Sequence, residues 1–131
     1  MTATVRLLTD EAPGVAVLTL ADEVDVTEEE RVRRLLTTVL DAAPESIVVD
    51  LTRLTFTDAT GINALAVLAG RAGPLGMPVT LAGCPAGIDR LLRMLDLRDR
   101  FRYSATLADA LTDAGTDAGT RAPSTRSCSS S

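Results

Sequence analysis

The residues best suited to chemistry lie in one short stretch, Asp58-Ala59-Thr60-Gly61, which follows an apolar run and opens a second one. Asp and Thr are favoured at the start of a helix, where a side-chain oxygen caps free backbone N–H groups. The same position favours an anion or a hydrogen-bond acceptor, because those N–H groups are unpaired and the helix dipole is positive there. From the residue types alone, Asp58 and Thr60 are either helix caps or part of a recognition site.

The composition argues against catalysis and against metal binding. The chain has no His, so the usual general base and the commonest metal ligand are missing. Cys84 and Cys128 are far apart and belong to no CxxC or Cys/His cluster. Asp50 and Asp58 form no nucleophile–base arrangement without a His. We therefore predict that the protein is not an enzyme and has no metal and no cofactor.

Charge and hydropathy limit the partners. The chain has 131 residues, 46% of them hydrophobic, and a net charge of −5, which argues against nucleic acid as a partner. No run reaches the roughly 18 apolar residues of a membrane span, and the N-terminus lacks a signal-peptide core. We expect no membrane partner and a cytoplasmic location.

Strand and helix patterns alternate along the chain and must position the Asp58 stretch. The strand candidates are residues 4–8, 15–20, 47–51, 77–82 and 101–103; the first two are predicted to form a hairpin, and Pro78 places the fourth near an edge or its start near Val79. The helices begin near Thr27, Gly61, Pro85 and Thr106. The helices after Thr27 and Pro85 have apolar stripes that predict a buried face, and Thr106 with Asp109 is predicted to form a capping box. The acidic segment Ala21–Asp25 is predicted as a loop, and residues 52–57 as a polar turn. This order predicts an α/β fold with a mixed, mostly parallel sheet of four to five strands and about four helices.

The C-terminal residues differ in composition from the rest. The last helix is predicted to end near Leu111, and TDAGTDAGTRAPSTRSCSSS follows with almost no large apolar residue. Such a segment cannot bury enough surface to order itself. We predict one domain, residues 1–112, and a low-complexity tail, residues 113–131.

The stretch IVVDLTRLTFTDATGINAL resembles the signature of STAS domains, typified by bacterial anti-sigma factor antagonists. In that family an apolar strand ends in an Asp-Leu-like pair, followed by an apolar residue, an Asp, small hydroxyl residues, a Gly and an apolar helix. The matching positions here are Asp50, Leu51, Phe56, Asp58, Thr60, Gly61, Ile62 and Leu65. VLTLADEVD (17–25) resembles the family's strand and Gly-Glu-Leu-Asp-like loop, and the resemblance covers about residues 4–111.

The resemblance implies a STAS-like fold and a protein that binds an anti-sigma factor of the serine/threonine kinase type, in a partner-switching pathway that regulates transcription. In such systems the kinase phosphorylates the hydroxyl residue directly after the motif Asp, and the added negative charge abolishes binding. With Asn63, which helical phase exposes, the implied partner-binding residues are Asp22, Glu23, Asp25, Asp58, Ala59, Thr60, Gly61 and Asn63. The expected state is a monomer or a weak homodimer.

The sequence departs from the family pattern at the decisive position. Ala59 follows Asp58 and has no hydroxyl, whereas Thr60 retains one. Three interpretations stay open: an antagonist that cannot be phosphorylated, an antagonist with Thr60 as a displaced phosphorylation site, and a domain that has become a scaffold. The alternative to an antagonist is thus a STAS scaffold or a ligand-sensing module in a signalling complex.

Overall fold

The structure, a computed structural model, describes residues 2–8, 14–24, 27 and 29–119. Strands and helices alternate along these residues. Their order is β1 (Thr2–Leu8), β2 (Val15–Val24), α1 (Glu29–Asp41), β3 (Ser46–Asp50), β4 (Leu54–Thr57), α2 (Ala59–Ala72), β5 (Val79–Ala82), α3 (Ala86–Met94), β6 (Arg102–Ser104) and α4 (Leu107–Gly119). Short 3₁₀ turns lie at Gly73–Leu75 and Arg98–Arg100.

The strands form a mixed sheet with the order β1-β2-β3-β5-β6. β1 and β2 form the expected antiparallel hairpin, and β2, β3, β5 and β6 are parallel neighbours. Helices connect the parallel strands, as parallel pairs require long crossovers. The predicted α/β class with a mostly parallel sheet is confirmed.

Helices cover both faces of this sheet. Residues at alternating positions of β2 and β3 point to opposite faces, as the period of a strand requires. Ala16, Leu18 and Val49 belong to a large cluster with α1, α2 and α3, whereas Val17 and Val48 belong to a smaller one with α4. Because α1 and α2 both return from the carboxyl end of one strand to the start of the next, they run roughly parallel, and both begin at the same edge of the sheet.

Two segments predicted as irregular are strands, which corrects the sequence interpretation. β2 continues through Val24 instead of ending at Leu20, and residues 54–57 form β4, which pairs in parallel with the second half of β2. Asp22 has a φ of 62°, and the register shifts between Asp22 and Glu23. This irregularity lets β2 leave β3 and continue with a second partner. Asp25 lies outside the described residues.

The last helix is longer than predicted. The Thr106 hydroxyl accepts a hydrogen bond from the Asp109 N–H at 3.1 Å, which is the expected cap. The helix then runs to Gly119 instead of ending near Leu111, and Ala110 is buried against the sheet. The helix thus crosses the boundary between the predicted domain and the predicted tail. That division stays a prediction, and residues 120–131 lie outside the described part.

Candidate functional site

Asp58 caps the N-terminus of α2. Its Oδ1 accepts a hydrogen bond from the Thr60 N–H at 2.8 Å, and its own N–H donates to the Val24 carbonyl at 3.3 Å. The first bond satisfies one of the free N–H groups at the helix start. Asp58 is half-buried, and Ala59 beside it is exposed. Asp58 therefore caps α2, as its residue type predicted, and the turn that contains Asp58 is exposed at the surface.

A close contact between Thr57 and Gly61 fixes the entry into α2. A Cβ at position 61 would lie 2.9 Å from the Thr57 Cβ and closer still to the Thr57 Oγ1. That hydroxyl lies within hydrogen-bonding distance, 3.1 Å, of the carbonyl oxygens of Val24 and Asp58. Gly61 is buried, so it supports the corner from inside and is not part of the exposed surface.

Asp50 ends the central strand and is satisfied within its own turn. It is 7% exposed, and its Oδ1 accepts hydrogen bonds from the Thr52 N–H at 3.1 Å and the Thr52 hydroxyl at 2.6 Å. Gly83, with a φ of 64°, lies against Thr52, and a Cβ there would be 3.1 Å from the Thr52 Cα. These contacts make Asp50 a structural residue that joins the ends of β3 and β5.

Asp22 and Glu23 of the acidic segment lie in β2, next to β4, the strand that leads into Asp58. Asp22 and Glu23 are exposed, and Val24 pairs with Thr57, the residue before Asp58. The Asp22 N–H donates to the Arg53 carbonyl at 2.9 Å, and the Thr55 hydroxyl donates to the Asp22 carbonyl at 2.8 Å. The main chain of the two acids is thus fixed beside β4, while their side chains remain accessible.

A groove of about 520 Å³ runs between α1 and α2, and we call it the α1–α2 groove. It is lined by Glu29, Val32, Arg33, Leu36, Asp58, Ala59, Thr60, Asn63, Ala64, Val67 and Arg71. The structure thus brings four of the predicted site residues together, namely Asp58, Ala59, Thr60 and Asn63. Asp22, Glu23 and Gly61 do not line the groove.

The sequence interpretation missed the α1 wall and the far half of the α2 wall. Residues 60, 63, 67 and 71 recur at the spacing of one helix face, and an apolar Val67 in that polar series was the available signal. The α1 wall had no local signal, because it depends on how the two helices pack.

Most of the charge in the groove lies where both helices begin. The Arg33 guanidinium binds the carboxylates of Glu30 at 2.6 Å and Glu29 at 3.3 Å. These side chains are more than half exposed, so each pair contributes at most about 1 kcal/mol to stability. Asp58 adds a further negative charge at this end, and Arg71 lies in the last turn of α2.

A second concave region lies at the carboxyl ends of β5 and β6. Asp89 accepts a hydrogen bond from the Arg98 Nε at 2.9 Å and forms an ion pair with Arg93 at 3.0 Å. The Tyr103 hydroxyl donates to the Arg98 carbonyl at 2.8 Å, and the guanidinium lies 4.6 Å from the centre of the Tyr103 ring. This cluster joins α3 to β6.

The thiol and the phenol of this second region remain protonated at neutral pH. Burial, assisted by the Asp89 carboxylate, raises the pKa of Cys84 to about 11. Burial also raises the pKa of Tyr103 to about 12, although the Arg98 charge opposes the shift. The half-buried Cys84 thiol is therefore a poor nucleophile, because only the thiolate reacts.

Two further findings concern the described residues. No group of three or more His, Cys, Asp or Glu side chains among them is arranged to hold a metal ion. None of the helices formed by those residues is both long and apolar enough to cross a membrane.

Within the described residues, a mixed sheet carries three helices on one face and one on the other, and a capped Asp lies at the exposed start of α2; this arrangement defines a small α/β domain. The chain belongs to the STAS domain family, whose sequence pattern matches residues 6–110. A search of curated proteins finds no significant match.

Several solved structures share the fold. A single-residue variant of RsbS from Moorella thermoacetica has a TM-score of 0.74 and 19% identity, over 92% of this chain and 100% of that one. The unphosphorylated anti-sigma factor antagonist SpoIIAA has a TM-score of 0.69 and 16% identity, over 86% of this chain and 96% of that one. The murine anion transporter Slc26a9 matches at 0.65 and 19%, over 79% of this chain and 18% of the transporter. At these identities the likeness establishes the fold alone.

Proposed function

We propose that the protein is an anti-sigma factor antagonist that binds an anti-sigma factor of the serine/threonine kinase type and thereby regulates transcription by partner switching. The observation that carries the proposal is the exposed start of α2, where the Asp58 corner lies beside a strand that presents Asp22 and Glu23. Membership of the STAS family and the fold shared with SpoIIAA and RsbS support it.

The charges of this corner fit a basic partner surface. Asp22 and Glu23 are exposed, and Asp58 is half-buried at a helix start that its own carboxylate caps. Acidic groups gathered on one surface attract a basic partner, accelerate association and disfavour acidic competitors. Recognition by charge and shape needs no covalent step, so we propose that the protein binds its partner without catalytic activity. We also propose that it acts in the cytoplasm, as a monomer or a weak homodimer.

We further propose that binding is constitutive. Ala59 is the exposed first residue of α2 and offers no phosphate acceptor. Thr60 is half-buried, and its N–H is bonded to Asp58. A kinase that reaches the position after Asp58 would find a methyl group there, and the hydroxyl of Thr60 would be one residue away.

Binding to a purified kinase-type anti-sigma factor from the same organism tests the proposal. Asp58→Asn keeps a favoured helix cap and removes the charge, whereas Asp58→Lys reverses it. We expect wild type to bind, Asp58→Asn to bind about tenfold more weakly, a loss of about 1.4 kcal/mol, and Asp58→Lys to lose binding, because its reversed charge repels a basic partner surface. The matched control is Asp113→Lys, an exposed acid on α4 across the sheet. No binding by wild type, or equal binding by all four proteins, would refute the antagonist function.

The second candidate function is a scaffold or a ligand-sensing module in a signalling complex. The α1–α2 groove favours it, because a volume of about 520 Å³ is large enough for a small molecule. This function predicts a folded wild type that binds no kinase-type anti-sigma factor, together with a copurifying small molecule that native mass spectrometry detects.

A further inference from the structure

The α1–α2 groove has the shape of a receptor for a helix. Among the residues that the structure describes, those lining the groove belong to α1, to α2 or to the Asp58 cap and offer no strand edge that could pair with an extended segment. The wall from Asp58 to Arg71 is about 20 Å long at the helical rise of ~1.5 Å per residue. Two nearly parallel helices leave a hollow into which the ridge of a third helix packs.

The floor of the groove is apolar. Val32 and Leu36 from α1 and Ala64 from α2 are buried, whereas Val67 on the α2 wall is 47% exposed. Burying the exposed part of Val67 under a partner side chain removes apolar surface from water, which favours association. An occupant with an apolar stripe would pack its apolar side chains against this floor.

The two ends of the groove carry opposite charge. Glu29 and Asp58 lie at the end where the helices begin, and Arg33 at this end binds both Glu29 and Glu30. Arg71 lies at the other end, in the last turn of α2. A complementary occupant therefore carries basic residues at one end of its apolar stripe and acidic residues at the other.

We infer that the α1–α2 groove docks an amphipathic helix of the partner, which places apolar side chains over Val32, Leu36 and Val67, its basic end at Asp58 and its acidic end at Arg71. The inference rests on the proposed function, because it names the part of the anti-sigma factor that the Asp58 site receives. Apolar anchors at i, i+4 and i+7 with flanking charges are the usual pattern of a helix bound in a groove.

The first test uses the kinase-type anti-sigma factor and a small set of variants. Val67→Asp places a charge on the apolar wall and should weaken binding at least about tenfold, as expected for a central anchor contact. Met94→Asp is the matched control, because Met94 is 70% exposed on α3 and lies outside the groove. Its binding should stay within about twofold of wild type. Arg71→Glu should weaken binding several-fold, and Arg71→Lys should retain it.

The second test does not need the anti-sigma factor. The probe is a fluorescently labelled helical peptide of about 14 residues with Leu at i, i+4 and i+7, Arg residues at one end and Glu residues at the other, followed by anisotropy. Wild type should bind it more tightly than a peptide with the same residues and a scrambled stripe. Arg71→Glu should weaken binding of this peptide and strengthen binding of a peptide with Arg residues at both ends.

The outcomes separate the two proposals. If Asp58→Lys abolishes anti-sigma factor binding while Val67→Asp and Met94→Asp behave alike, the site stands and the helix-docking groove is refuted. If the anti-sigma factor does not bind wild type, the proposed function fails, and the peptide experiment alone decides the groove. Equal binding of intact and scrambled peptides would refute the proposal that the α1–α2 groove docks an amphipathic helix. A homodimer that Val67→Asp converts to a monomer would also refute it, because a second copy would then occupy the groove.

Discussion

Thr57 and Gly61 touch across the turn that joins β4 to α2, and a methyl group on Gly61 would overlap the Thr57 side chain. A Cβ there would lie 2.9 Å from the Thr57 Cβ. The Thr57 hydroxyl also lies 3.1 Å from the Val24 carbonyl oxygen of the neighbouring strand. The pair therefore links the acidic strand, β4 and the start of the helix that carries Asp58.

Gly61→Ala should destabilise the domain by about 1–3 kcal/mol, because the new methyl group forces Thr57 to move in a packed site. Gly70→Ala is the matched control in the same helix, where an added Cβ has nothing within 4 Å. That control should stabilise the domain by about 0.5–1 kcal/mol, since Ala is the better helix former. The free energy of unfolding from urea titrations measures both.

A double-mutant cycle identifies the contact responsible. Thr57→Ala removes the hydroxyl and methyl groups that crowd position 61 and leaves only the Cβ, 2.9 Å away, so Gly61→Ala should cost less in that background than in wild type. An equal cost in both backgrounds would show that the loss has another origin.

The sequence predicted the elements whose signal is local. The cap at Asp58, the hairpin of β1 and β2 and the buried stripes of the helices follow from residue type and period, and all are present. β4 was missed although Leu54-Thr55-Phe56-Thr57 alternates apolar and polar residues. Its partner is the acidic end of β2, and that pairing depends on the irregular backbone at Asp22, which no local pattern reveals.

The candidate site was likewise predictable only where its signal is local in the sequence. The α2 half of the α1–α2 groove follows from helical phase after Asp58, and four predicted residues lie there. The α1 half depends on the packing of two helices that are separated in sequence by β3 and β4. Arg33 and Leu36 therefore enter the site only through the tertiary structure.

Asp58→Ala should lower the free energy of unfolding by about 1 kcal/mol, because the Thr60 N–H loses its acceptor at the start of α2. Asp58→Ser should cost much less, since Ser is an equally favoured cap. Thermal and urea unfolding of the two variants measure the difference. Equal losses would show that the carboxylate charge, and not the cap, stabilises this corner.

The stability of the domain should fall at alkaline pH. Burial raises the pKa of Cys84 from 9.0 to about 11, so the folded state holds this proton more tightly than the unfolded chain. The resulting stability is complete below pH 9, where both states are protonated, and is lost as the pH rises from 9 to about 11. Tyr103, with a pKa raised from 10.0 to about 12, adds a second loss between pH 10 and about 12.

The urea midpoints of wild type and of two single-cysteine variants, compared between pH 8 and about pH 11, measure this loss of stability. Cys84→Ser removes the titrating thiol and should make the fall between pH 9 and about 11 shallower, leaving the part due to Tyr103, whereas Cys128→Ser should retain the full fall. In Cys128→Ser, alkylation of the remaining Cys84 should be slow at pH 8, because little thiolate is present. Rapid alkylation, or the same pH profile in both variants, would contradict the raised pKa.

Ala59→Ser tests the constitutive behaviour, because it restores a hydroxyl directly after Asp58. With a kinase-type anti-sigma factor and ATP, we expect wild type to keep its mass and Ala59→Ser to gain one phosphate, measured by intact mass. The phosphate adds about −1.5 to −2 charge beside Asp58, so the phosphorylated variant should lose binding, whereas the unphosphorylated variant binds like wild type. Thr60→Ala is the control for the neighbouring hydroxyl. A phosphate on wild type that Thr60→Ala abolishes would show that Thr60 is a displaced switch, and that binding is regulated after all.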